Sequence, residues 1–124
     1  MGQSRHPTAP TAPTAETIGI MMKQQPIPEA AVLDENSVEM MRVWIAQKRL
    51  YTSLKVGMYK ETSKVPEEKA WGMILADAAR HVADALEKAY GADAQESLQA
   101  IRDAFTRELA SPSTDVEGVF VKKQ

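Results

Sequence analysis

The chain contains no cysteine, which excludes disulfides, thiolate metal sites and cysteine nucleophiles and leaves packing as the source of stability. Its two histidines, His6 and His81, are far apart, so no histidine cluster is available to complete a metal site. It also lacks an excess of positive charge. Fifteen basic residues against 17 acidic ones give a net charge of -2, whereas binding to a phosphate backbone needs clustered lysine and arginine. Nucleic acid is therefore not expected as a partner. No apolar run approaches the ~20 residues needed to span a bilayer, and no basic region followed by an apolar block marks a secretory signal. These absences predict a cytoplasmic protein without membrane attachment. Gly2 follows Met1, but His6 stands where a myristoylation signal requires serine or threonine. No serine or threonine occupies a nucleophile elbow, and no glycine-rich phosphate loop is present. No catalytic residues and no cofactor are expected.

What is present is 44% hydrophobic sequence in a chain of 124 residues, enough for one core. Gln3 to Thr17 carry the repeat PTAPTAPTA, which offers no large side chain to bury. Residues 1–25 are accordingly expected to be a disordered arm, with Met21 or Met22 as a candidate natural start. The folded domain is expected at residues 26–112. Pro26 and Pro28 hold its first residues extended, and Asp34, Glu35, Asn36 and Ser37 form a turn.

The residues between Val38 and Met58 alternate as strands do. Met41, Val43 and Ile45 fall on one side, and Met40, Arg42 and Trp44 on the other. A two-residue turn at Gln47 and Lys48 places Ile45 opposite Leu50, Val43 opposite Thr52 and Met41 opposite Leu54. Because tight hairpin turns favour Asn or Gly, a longer loop reaching Arg49 is the alternative.

A helix is predicted from Pro66, with Glu67 and Glu68 complementing its positive end and Gly91 closing it after Tyr90. Trp71, Ile74, Leu75, Ala78, Val82, Ala85, Leu86 and Ala89 form one stripe around it. Gly72, Met73, Ala76, Ala79 and Ala83 extend the apolar surface, so the helix is expected to be sandwiched between two partners. Burying Trp71, Ile74, Leu75, Val82 and Leu86 at ~1.5 to 3 kcal/mol each outweighs the ~1 kcal/mol that Gly72 costs against alanine. A second helix starts at Asp93 with Glu96 in a capping-box-like position. It buries Leu98, Ile101, Phe105 and Leu109, stops at Ser111 and Pro112, and folds back on the first. Val119 to Val121 either add a strand to the hairpin or leave residues 113–124 a flexible end, and the free end is preferred. The fold class is α+β: a β-hairpin, open to extension by a C-terminal strand or a dimer partner, against two antiparallel helices.

Two clusters invite a functional reading. Asp77, His81 and Asp84 share one flank of the first helix at spacings where a carboxylate meets an imidazole, a weak candidate for a divalent metal or a general base. The plainer reading is a solvated edge on which Arg80 neutralises Asp84. Met40, Trp44 and Tyr51 lie on the hairpin face away from the core, which makes them candidate interface residues for a homodimer joined through the sheet. With Arg42, Arg49 and Lys55, Trp44 and Tyr51 also mimic a single-strand binder, a reading the net charge disfavours.

The block RVWIAQKRLYTSLKVGMY followed by AWGMILADAARHVADAL resembles a family of small bacterial proteins known only as a domain of unknown function. The resemblance covers Pro26 to Pro112. It is carried by Arg42 to Ala46, Leu50 to Leu54, Trp71 with Gly72, and Asp77 through Ala83. Members open with a segment like Met22 to Pro28, whereas Gln47, Lys48 and Arg49 replace a glycine-rich turn and extra residues stand near Thr62 to Val65. The resemblance implies a bacterial source and an α+β fold, and it carries over no catalytic residues. The overall expectation is a non-catalytic protein-interaction or accessory module with an unknown protein partner. The alternative is a small-molecule or divalent-metal binding domain using the Asp77, His81 and Asp84 flank.

Overall fold

The structure, a computed structural model, describes residues 23–122. Most of the expected arm, and the start at Met21 or Met22, lie outside those residues. The chain forms two compact units divided between Val38 and Glu39.

In the first unit Pro28 ends the extended stretch and starts a single helical turn, α1 (Glu29–Leu33), its carbonyl accepting from the amides of Ala31 and Val32. The extension expected from these prolines through Val32 is thus corrected: proline fixes its own φ at a value that suits a helix start as well as an extended chain. The polar turn forms as expected. Asp34 accepts from the Asn36 amide at 2.9 Å, and the Ser37 hydroxyl donates to the Ala31 carbonyl at 2.7 Å.

The second unit opens with an antiparallel hairpin of β1 (Met41–Ala46) and β2 (Arg49–Val56). Its register is the one the alternation predicts: Met41 pairs with Leu54, Val43 with Thr52 and Ile45 with Leu50. The turn has two residues, Gln47 and Lys48, at φ +52° and +62°. Both long side chains adopt the left-handed backbone that such turns demand. Strand β2 ends before Gly57, whose φ of +97° redirects the chain into a turn beyond the strand segment expected to end at Met58, α2 (Met58–Thr62).

Pro66 caps α3 (Glu67–Tyr90), and Gly91, left-handed at φ +73°, closes it with its amide on the Glu87 carbonyl. Asp93 caps α4 (Ala94–Ala110) by accepting from the Glu96 amide at 3.0 Å. The chain returns as β3 (Val116–Lys122), parallel to β2, so the sheet order is β1-β2-β3. The sheet extension is realised and the free-end reading of residues 113–124 gives way to it. A parallel pair needs a long crossover, and the α3–α4 hairpin supplies one.

Burial departs from expectation. Among the described residues only Ala70 and Ala83 are buried, and neither belongs to the stripe read as the core. Helix α4 packs on the flank of α3 that carries Ala83, near the link at Gly91, where Leu98 and Ile101 are half-buried. Farther along α4, Phe105 and Leu109 are exposed. The centre of the stripe stays in water: Leu75, Ala78, Val82, Ala85 and Ala89 are all exposed, and neither α3 nor α4 closely approaches the sheet. The sandwiched first helix is therefore corrected within one chain. Periodicity marks an apolar face without naming what covers it.

Two substitutions test this architecture. Gln47→Asn with Lys48→Gly relieves the left-handed strain and should raise stability to urea by about 1–2 kcal/mol; no gain would contradict the two-residue turn. At Gly118, φ is +141° and a β-carbon would overlap the Thr52 carbonyl oxygen. Gly118→Ala should cost about 1–3 kcal/mol and raise amide exchange across β3 more than across β1.

Candidate functional site

Helix α3 sets Asp77, Arg80, His81 and Asp84 one turn apart, and the tight link at Gly91 brings the start of α4 beside them. Between the two helices lies a cleft of ≈ 430 Å³ lined by Asp77, Arg80, His81, Ala83, Asp84, Ala94, Gln95 and Leu98. The three residues singled out in the sequence thus line one cleft. Its charge pairing differs from expectation, since the Arg80 guanidinium bonds the Asp77 carboxylate rather than Asp84. Both partners are about two-thirds exposed, so the pair adds little to stability. Among the described residues no three His, Asp or Glu side chains are grouped to hold a metal ion. The first turn of α4 faces the cleft through Ala94 and Gln95, while its Glu96 amide is already taken by Asp93. The cleft offers an imidazole, two carboxylates and a guanidinium to a small polar ligand, with no hydroxyl or thiol among its lining residues.

On the sheet, Trp44 and Tyr51 are cross-strand partners, both half-buried, and Met40 is half-buried just before β1. Tyr51 lies opposite Glu117 of β3, and burial followed by the Glu117 carboxylate pushes its hydroxyl above the ordinary tyrosine range. Arg49 bonds Glu117 at 2.8 Å, and Arg42 bonds Glu39 at 3.0 Å. Of the cations that suggested a phosphate-tracking face, Arg42 and Arg49 are engaged with carboxylates. Exposed apolar groups stand on both faces, Val119 at 67% on this one and Ile45 at 81% and Phe120 at 69% on the other.

The most organised polar centre went unread in the sequence. Gly57 has no side chain with which to cap α2, and Glu67 does so from the first turn of α3. Its Oε2 accepts from the Gly57 amide at 3.0 Å and from Trp71 Nε1 at 2.9 Å. Its Oε1 accepts from the amides of Tyr59 and Lys60, each at 3.0 Å. The Gly57 bond first, then those from Lys60, Trp71 and Tyr59, hold this carboxyl below its ordinary range against the opposing effect of burial. Glu108 does the same at the far end, accepting from the Ser113 amide at 2.8 Å, and its carboxyl is likewise lowered, chiefly by that bond.

A family model described as Domain of unknown function (DUF5076) matches residues 24–113, and the chain belongs to that family. The resemblance read from the sequence is to a family of this standing, and no curated protein matches the chain. Among solved structures it is similar to one described as "a putative pyruvate dehydrogenase from the photosynthetic bacterium Rhodopseudomonas palustrus CGA009", at 24% identity and a TM-score of 0.53, over 73% of this chain and 87% of that one. At that identity the likeness concerns the fold alone.

Because Glu67 is depressed in the folded chain, its contribution is complete above the ordinary carboxylate range and is lost as pH falls through the lowered value. In a Trp44→Phe background, Trp71 emission should shift to the red on that descent. Glu67→Gln should show the shifted emission already at neutral pH and respond little to acid; emission that holds steady to acid in the parent would contradict the clasp.

Proposed function

We propose that this member of a family of unknown function acts as a non-catalytic protein-interaction or accessory module whose working surface is apolar. One observation carries the reading: large apolar side chains stand in water together on one sheet face of the second unit, Val43, Ile45 and Phe120, at 47 to 81% exposure. Soluble monomers rarely leave such groups clustered, and clusters of this kind mark interaction sites. The description of the structural neighbour as a dehydrogenase supplies no residue roles to this chain. The cysteine-free composition and that neighbour's bacterial source favour the bacterial cytosol as the place of action.

A second reading rests on the cleft itself, whose volume lies within the range of small-molecule sites. There, Asp77, His81 and Asp84 would meet a small polar ligand or a divalent cation.

A photo-crosslinking residue placed at Ile45, compared with one at the exposed Lys64, separates the two readings. The module predicts an adduct of defined protein mass from Ile45 and none from Lys64. Absence of any protein adduct from Ile45, together with a melting temperature raised reproducibly by zinc or inorganic phosphate and abolished by His81→Ala, would favour the cleft instead.

A further inference from the structure

We propose that the apolar surface is completed by a second copy of the same chain, the exposed stripe of α3 in one protomer covering the apolar sheet face of the other, and reciprocally. The inference rests on the interaction-module reading and names its partner.

Each chain carries both halves of a sheet-on-helix core without packing them extensively on one another. The strand register puts Val43, Ile45, Leu54 and Phe120 on one sheet face, of which Val43, Ile45 and Phe120 are exposed. Helix α3 presents a stripe from Leu75 to Ala89, alternating steps of three and four residues, all of it exposed at its centre. The two match in length. Leu75 to Ala89 spans about 21 Å at 1.5 Å per residue, while strands of 6 to 8 residues span about 20–27 Å. They match in chemistry too, since neither surface carries a charge along its centre. Within one chain the Glu67 clasp ties the start of α3 to the α2 turn rather than to the strands, and neither long helix closely approaches the sheet.

Two copies satisfy both surfaces at once, because a twofold arrangement pairs sheet with helix twice. The exposed large apolar residues of these two surfaces, Val43, Ile45, Val116 and Phe120 on the sheet and Leu75 and Val82 on the helix, form the apolar centre of an interface to which a standard partner brings ≈ 800 Å². A partner of another kind would need to carry both complements. A second copy has them by construction.

Light scattering of the full chain at tens of micromolar should report twice the 13.7 kDa of one chain. Ile45→Glu and Val82→Glu should each halve that mass while far-UV circular dichroism retains the helices. A wild-type monomer overturns the inference, and in that case an Ile45 adduct to a different protein would still favour the module reading. The reciprocal geometry has its own readout in this cysteine-free chain. Mixing I45C with V82C under oxidation should give a mixed disulfide dimer in excess of either same-variant disulfide. Efficient crosslinking of V82C alone, with little mixed product, means that α3 meets α3 and overturns the arrangement even if the mass is doubled.

Discussion

An apolar face exposed to water costs roughly 25 cal/mol per Å² relative to a covered one, and this chain carries two such faces on elements that do not close on each other. Every other feature is read in that light. The sheet is well ordered along its ladder, the helical hairpin is capped at both ends, and yet among the described residues only Ala70 and Ala83 are buried. A unit of this size in water needs far more burial than two alanines supply. Secondary structure here is set by local signals and short hydrogen bonds, and the missing cohesion has to come from a covering surface.

Two glutamates organise the joints between the elements. Glu67 gathers three amides of the α2 turn and the Trp71 indole, so the exit from β2 and the entry to α3 are set by one carboxylate. Glu108 holds Ser113 after α4 and fixes the approach to β3. The direction in which α3 leaves the sheet is therefore decided at Gly57 to Trp71. The centre of its stripe and Val43, Ile45 and Phe120 of the sheet stay exposed. Near the link at Gly91 the helices lie close enough to bound the cleft beside His81; farther along, Phe105 and Leu109 stand exposed.

Much of this was legible in the sequence, for identifiable reasons. The alternation of Met41, Val43 and Ile45 against Leu50, Thr52 and Leu54 fixes a register, because a one-residue slip would turn every side chain to the other face. Gly91, Asp93 and Pro112 punctuate the helices through backbone conformation and capping, which act locally. The spacing of Asp77, His81 and Asp84 was enough to place them on one flank of α3, whereas the cleft beside that flank depends on Ala94, Gln95 and Leu98 of α4. Arg80, one turn from both Asp77 and Asp84, has two equivalent choices in sequence, and only the rotamer decides. The α2 turn escaped notice because its cap comes from Glu67, outside it. Strand β3 was undervalued because its partner lies more than 60 residues away and its approach depends on Gly118 lacking a side chain. Burial was the largest miss: the stripe was taken for a core within one chain, and α4 chose its flank.

The central claim is that folding of this chain is linked to covering its apolar surfaces with another copy of itself. Thermal unfolding followed across a hundredfold range of protein concentration tests that linkage most directly, since association stabilises by mass action. The account predicts a melting temperature that climbs steadily with concentration. A midpoint that stays constant over the whole range would contradict it.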